Sequence, residues 1–190
     1  MGAAKDLGVS YTDVDYVNGK EKFEAAASAQ AVKQVFTAQE ITALINGCSE
    51  KECIVESAQV KTYSEGVVEI SGVVDRHQVI ALFEGAIDNA KASSYLNTVA
   101  KYLPAQPSFY VKAEISGGQD VVVLELEKAK VAGFELSGSD LRELESELER
   151  VILEYLSSLP GTQIYDFLIN EEGIYVDADL HQFTVEQPKY

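Results

Sequence analysis

Few residues in this 190-residue chain belong to types that carry out reactions, and their spacing argues against most chemistries. His77 and His181 are the only histidines. Neither lies in a pattern with Ser, Cys or a carboxylate that would specify a nucleophile–base pair, and the chain has no Gly-x-Ser-x-Gly elbow. His77 falls in the first turn of an expected helix, where it reads as a surface residue. Asp13, Asp15, Asn18 and Glu24 are spaced somewhat like a calcium loop. Val17 occupies a ligand position, however, and Gly19 comes one place late. Ser137-Gly138-Ser139 precedes a helix but lacks the lysine and spacing of a phosphate loop. The acid pairs Glu171/Glu172 and Asp177/Asp179 would do acid–base work only if buried and brought together, and otherwise read as solvated carboxylates. No catalytic residue, metal site or cofactor is assigned, and an enzyme is not expected.

Cys48 and Cys53 are the only cysteines. Their gap does not suit a zinc knuckle, and no further ligand lies nearby. They read either as a short-loop disulfide, which needs an oxidising compartment and would stabilise by about 2 kcal/mol, or as two reduced thiols. Lys and Arg number 15 against 31 Asp and Glu, for a formal charge of −16. That balance excludes a nucleic-acid backbone as partner, because phosphate binding needs clustered cations. It also excludes a polybasic membrane anchor. No stretch reaches the length of a transmembrane helix, and no signal peptide opens the chain. Met1-Gly2 is either a native start or what remains after an export segment is removed.

Residues 1–31 have apolar content without period and read as an N-terminal arm or linker; residues 32–180 form a single domain, and 181–190 a tail. Thr37-Ala38-Gln39-Glu40 is a capping box ahead of a helix carrying Ile41, Leu44 and Ile45, which Gly47 stops. A short strand over 32–36 precedes it. Hairpins are expected at Glu65-Gly66, at 117–120 and at 171–173. The return strand from Val121 reads as unusually long, reaching Leu136 with a bend at Gly133. Two central helical pieces carry Val79 to Ala90 and Tyr95 to Leu103. The strongest helix follows Ser139, with Leu141, Leu144, Leu148, Val151, Ile152, Tyr155, Leu156 and Leu159 on one stripe. A unit of helix, strand, Glu-Gly turn and strand occurs twice, either by chance or as a pseudo-repeat. The expected architecture is α+β: a strongly curved antiparallel sheet of about six or seven strands wrapping the long C-terminal amphipathic helix, with two or three shorter helices.

A long helix in a bent sheet would leave an elongated apolar groove suited to an acyl chain. Its candidate lining is Phe83, Ile87, Leu96, Val99, Leu148, Val151, Ile152, Tyr155 and Leu159. The alternative is that the stripe simply fills the core. The run Val131-Ala132-Gly133-Phe134-Glu135-Leu136-Ser137, the long helix, Leu159-Pro160-Gly161, and Glu172-Gly173-Ile174-Tyr175-Val176 resemble the C-terminal half of bacterial envelope proteins of the YpmS and LmeA type. Those proteins are similar to tubular lipid-binding (TULIP-like) domains. Thr37 to Ile45 and the Gly66 hairpin resemble the N-terminal part of the same sequences, and Leu103-Pro104 fits the layout. The resemblance covers residues 32–180. It implies an extracytoplasmic, envelope-located lipid-binding domain and supplies no catalytic residues.

Charge limits how such a domain could work. Between Glu135 and Leu180 lie 12 acidic and two basic residues, which is −10 of the −16. That surface should be repelled by a bare anionic membrane, so lipid carriage would need a docking partner. Two functions therefore stand as expectations. One is a non-enzymatic envelope domain that binds or carries an apolar ligand such as lipid. The other is a structural or protein-interaction module of the envelope with a packed core and no ligand.

Overall fold

The computed structural model describes residues 3–29, 31–47, 55–76, 104–118, 121–158 and 162–180. In chain order the elements are α1 (Asp13–Ala29), β1 (Ala31–Phe36), α2 (Ala38–Asn46), β2 (Val55–Thr62), β3 (Val67–Val74), β4 (Ser108–Gly118), β5 (Val121–Val131), β6 (Phe134–Glu135), α3 (Ser139–Ser158), β7 (Thr162–Asn170) and β8 (Gly173–Leu180). Among the described residues every strand pair is antiparallel, and the eight strands form one sheet.

The sheet forks at β4. One edge of β4 is occupied along its length by β5. The other edge is shared end to end: β3 pairs with 108–114, and β7 meets β4 where Gly117 opposes Phe167. From there the path runs β3 to β2 on one branch and β7, β8, β1 on the other. The Gly66 amide donates to the Ile169 carbonyl at 3.2 Å, stitching the two branches together. Ile169 is buried at this junction and joins Val60, Val68, Ala113, Leu124 and Leu126 in the core. Ile41 and Ile45 of α2 and Leu141, Leu144 and Leu148 of α3 pack against that cluster, so both helices cover the same face.

The α+β class and the antiparallel pairing match the expectation, but the wrapped helix does not form. Instead of six or seven strands curving around a C-terminal helix, eight strands make a forked sheet, and α3 lies along one strand, β5. The physical reason lies in how α3 is held. The Leu126 and Leu124 amides donate to Glu145 Oε2 (2.7 Å) and Glu149 Oε1 (3.2 Å), which pins the helix to the outer edge of β5. On the opposite margin α2 does the same to β2. Thr42 Oγ1 accepts from the Val60 amide at 3.0 Å, and Asn46 exchanges two hydrogen bonds with Ala58, Oδ1 from its amide (2.8 Å) and Nδ2 to its carbonyl (2.9 Å). At Ala58, Val60, Leu124 and Leu126, edge backbone groups that would template another chain are satisfied within the molecule.

Local signals mostly set the elements where they were expected. The Thr37–Glu40 capping box is present, with Glu40 N to Thr37 Oγ1 at 3.2 Å and Thr37 N to Glu40 Oε2 at 2.9 Å. Glu40 also holds Lys22 of α1 at 2.6 Å, and Lys22 donates to the Val35 carbonyl, so one buried carboxylate ties α1, β1 and α2 together. The calcium-loop-like stretch is the start of α1. Thr12 donates to Asp15 through its amide and hydroxyl, both at 2.7 Å, capping the helix.

The long bent return strand is a second difference. The chain reverses at Ala132-Gly133, where both φ angles are positive (51° and 86°), and β6 folds back on β5 with Lys130 opposite Glu135. Two consecutive left-handed residues make a tight hairpin turn where a bend or bulge within one strand was expected. Gly117-Gly118, expected in a turn, lie within β4. The two Glu-Gly turns also differ. Glu65 and Gly66 are both left-handed (59° and 80°), whereas at the second turn only Gly173 has positive φ, and a side chain there would overlap the Phe36 carbonyl. Cys48 and Cys53 and the central helices expected over 79–103 lie outside the described residues.

Removing the Asn46 amide leaves both Ala58 backbone groups without partners, so Asn46→Ala should lower stability by about 1–3 kcal/mol in urea unfolding. Buried Thr62 Oγ1 has no hydrogen-bond partner among the described residues. Thr62→Val should therefore move the urea midpoint the other way, and a fall would show that the hydroxyl is satisfied in solution.

Candidate functional site

The sheet has a second face, opposite α2 and α3. Alternation puts Gln59 and Lys61 of β2, Tyr63 just past its end, Glu69 and Ser71 of β3, and Tyr110 and Lys112 of β4 on that face, behind the core residues Val60, Val68, Val111 and Ala113. It divides into two halves.

Residues 3–12 cover the half over β2, β3 and β4. Gln59 Oε1 accepts from the Leu7 amide (2.7 Å) and the Val9 amide (3.4 Å), and Leu7 is buried. Lys5 Nζ lies 3.9 Å from the centre of the Tyr110 ring and 3.3 Å from Glu69 Oε2. Glu69 also accepts from the Tyr110 hydroxyl (2.8 Å) and the Tyr63 hydroxyl (3.2 Å). The expected arm therefore crosses the sheet on built contacts before entering α1, and α1 packs on α2. Beside this cluster Lys112 pairs with Glu127, and Lys128 and Lys130 pair with Glu135. Both signs of charge are mixed in this half.

Burial pushes the Glu69 carboxyl up, but the donors Tyr110, Lys5 and Tyr63 outweigh it and hold the group below its usual range. Burial raises the Tyr110 and Tyr63 hydroxyls, so both stay protonated donors at neutral pH.

Over the second half, at the far ends of β4 and β5 and the outer side of β7, no segment like residues 3–12 lies among the described residues. Val121 and Val123 of β5 and Tyr165 and Leu168 of β7 are exposed large apolar side chains. Between them the β4 positions on this face are Ser116 and Gly118, opposite Val123 and Val121. Small residues flanked by apolar walls make a shallow trough along β4. Glu114 opposes Glu125 at one end; at the other, level with Gly118, Asp166 stands in the β7 wall beside Tyr165, with Asp177 of β8 opposite it.

The expected groove residues fare differently. Leu148 packs on the core, and Ile152 is half-buried on the same helix. Val151 and Tyr155 belong to α3, with side chains outside the described set. Phe83, Ile87, Leu96, Val99 and Leu159 lie outside the described residues, as do His77 and His181. The acid pairs are engaged or solvated: Asp177 meets Lys33 at 3.0 Å, Asp179 accepts from the Tyr165 hydroxyl at 2.6 Å, and Glu171 and Glu172 are exposed. Among the described residues no cluster of three His, Cys, Asp or Glu is placed to hold a metal ion. No described helix is long and apolar enough to cross a membrane.

Sequence reasoning missed the trough. Its signal was there: Val121-Val122-Val123 puts apolar side chains on both faces of a strand, opposite Gly117-Gly118. Compared with protein-family models, curated proteins and solved structures, the chain has no match.

Because the folded Glu69 pKa lies below the ordinary 4.5, the unfolded chain takes up this proton first as pH falls. Its contribution is complete above pH 4.5 and is lost as pH drops through the folded value. Thermal unfolding from pH 6 to 3 should therefore show a shallower acid decline for Glu69→Gln than for the parent chain, and parallel declines would remove Glu69 from the acid response.

Proposed function

We propose that this chain is a non-enzymatic interaction domain of the extracytoplasmic side of a bacterial envelope, with a filled core and one sheet face offered to a partner protein. The observation that carries the reading is the packing of α3. Leu141, Leu144 and Leu148, the start of the stripe that would line an acyl groove, rest against Leu124, Leu126, Ile169 and their neighbours. Glu145 and Glu149 hold the helix to β5 along the same turns, so separating helix from sheet would strip β5 of its edge partners. A groove opened there would leave two backbone amides unpaired, at about 1–3 kcal/mol each.

The compartment rests on the likeness of residues 32–180 to the YpmS and LmeA type. The acidity agrees with a domain that meets a protein and keeps away from anionic lipid headgroups. Lipid carriage, which the resemblance also implies, would instead need the ligand to lie elsewhere on the chain.

Native mass spectrometry of protein purified without detergent, followed by organic extraction, tests the reading. The mass of the bare chain and an extract empty of lipid are expected. A stoichiometric lipid adduct lost on extraction would overturn the filled-core module in favour of a carrier.

A further inference from the structure

We propose that the trough along the end of β4 binds an extended polypeptide segment of another protein in which apolar residues are interspersed with lysine or arginine. This assignment rests on the interaction-domain reading and names the chemistry of its partner. The shape comes first. Val121 and Val123 form one wall, Tyr165 and Leu168 the other, and Ser116 and Gly118 the floor. The walls stand two strand spacings apart, about 10 Å, the width of one extended chain with its side chains. Exposed apolar side chains gathered around a low floor on an otherwise strongly charged protein mark an interaction site.

The charge at the two ends identifies the occupant. Like charges directly opposite one another weaken a sheet, yet Glu114 faces Glu125 and Asp166 faces Asp177. Lys33 relieves Asp177, while Glu114, Glu125 and Asp166 have no ion-pair partner among the described residues. Cations flanking an apolar stretch would relieve both ends together. The ends lie about 13 Å apart, four residues of extended chain, so basic residues four positions apart would reach both. A second copy of this chain is a poor occupant, because each copy carries −16 and would bring further carboxylates to this rim.

The test uses the full chain labelled with 15N and titrated with a nine-residue peptide, Lys-Leu-Lys-Val-Lys-Leu-Lys-Val-Lys. Two control peptides replace every lysine by glutamate, or every leucine and valine by serine. Saturable amide shifts confined to Ser116, Val121, Val123, Leu168 and their neighbours are expected with the first peptide, and none with either control. Glu114→Lys combined with Glu125→Lys should weaken binding at least about tenfold. Leu168→Asp should abolish it, and Ser116→Phe, which fills the trough while keeping the walls, should do the same if Leu168→Asp disturbs the fold. Shifts spread over the molecule, equal binding of the serine peptide, or no shifts would each overturn the assignment. The same would follow if phosphatidylcholine vesicles, and not the peptide, shifted the trough amides. Silence in this titration with a lipid-free native mass spectrum overturns the trough alone, whereas a lipid adduct overturns the filled-core reading on which it rests.

Discussion

A helix presents the same face every four residues, about 6.0 Å along its axis, and a strand presents the same edge every two, about 6.8 Å. The near-match lets a pair of side chains at i and i+4 satisfy alternate backbone groups of a strand running the other way. The molecule uses this match on two outer strands. Thr42 and Asn46 of α2 meet Val60 and Ala58 of β2, and Glu145 and Glu149 of α3 meet Leu126 and Leu124 of β5. With both helices fixed in this way, their apolar sides fall on one face of the sheet, where Ile45 and Leu148 pack against the core cluster that holds Val60 and Leu124. The Glu40–Lys22 contact then brings in α1. The open face is what this arrangement leaves over.

The acidity of the C-terminal part takes on a different meaning in that light. Net charge of this size ordinarily means solubility and self-repulsion. In α3, however, Glu145 and Glu149 spend their charge on backbone amides, where a carboxylate bonds about twice as strongly as a neutral acceptor. Glu147 is held by Arg150 at 2.7 Å. The helix is acidic partly because the edge of β5 needs acceptors. On the other side of the sheet Glu114, Glu125 and Asp166 have no ion-pair partner among the described residues.

What was readable beforehand followed the range of each interaction. The capping box at Thr37, the stop at Gly47 and the hairpin at Glu65-Gly66 are each specified within a few neighbouring residues, and each formed where expected. Asn46 and Thr42 carry no local signal of their role, because the strand they serve lies beyond the segment holding the cysteines. Residues 3–12 looked like a linker, because a segment held by one glutamine and one lysine needs no period. At Ala132-Gly133 the local sequence allowed either a bulge or a reversal. The choice fell to the backbone bond from the Ala132 amide to the Ser108 carbonyl, at 2.7 Å, a contact no local window contains. For the candidate site, the apolar stripe of the last helix was legible, but which atoms it meets was not.

The two halves of the open face differ in why the chain treats them differently. Over β2 to β4 a half-buried carboxylate and two tyrosine hydroxyls converge, and a short acid-poor segment bearing Lys5 can lie across them at little electrostatic cost. Over the end of β4 no such segment lies among the described residues, and an acidic one would meet Glu114, Glu125 and Asp166 there. The exposed apolar walls cannot be explained by folding stability, since the facing Glu114–Glu125 and Asp166–Asp177 pairs work against the sheet that carries them. A surface that is apolar in the middle, weakens its own fold at the rims and repels its own kind is built for a molecule of the opposite sign.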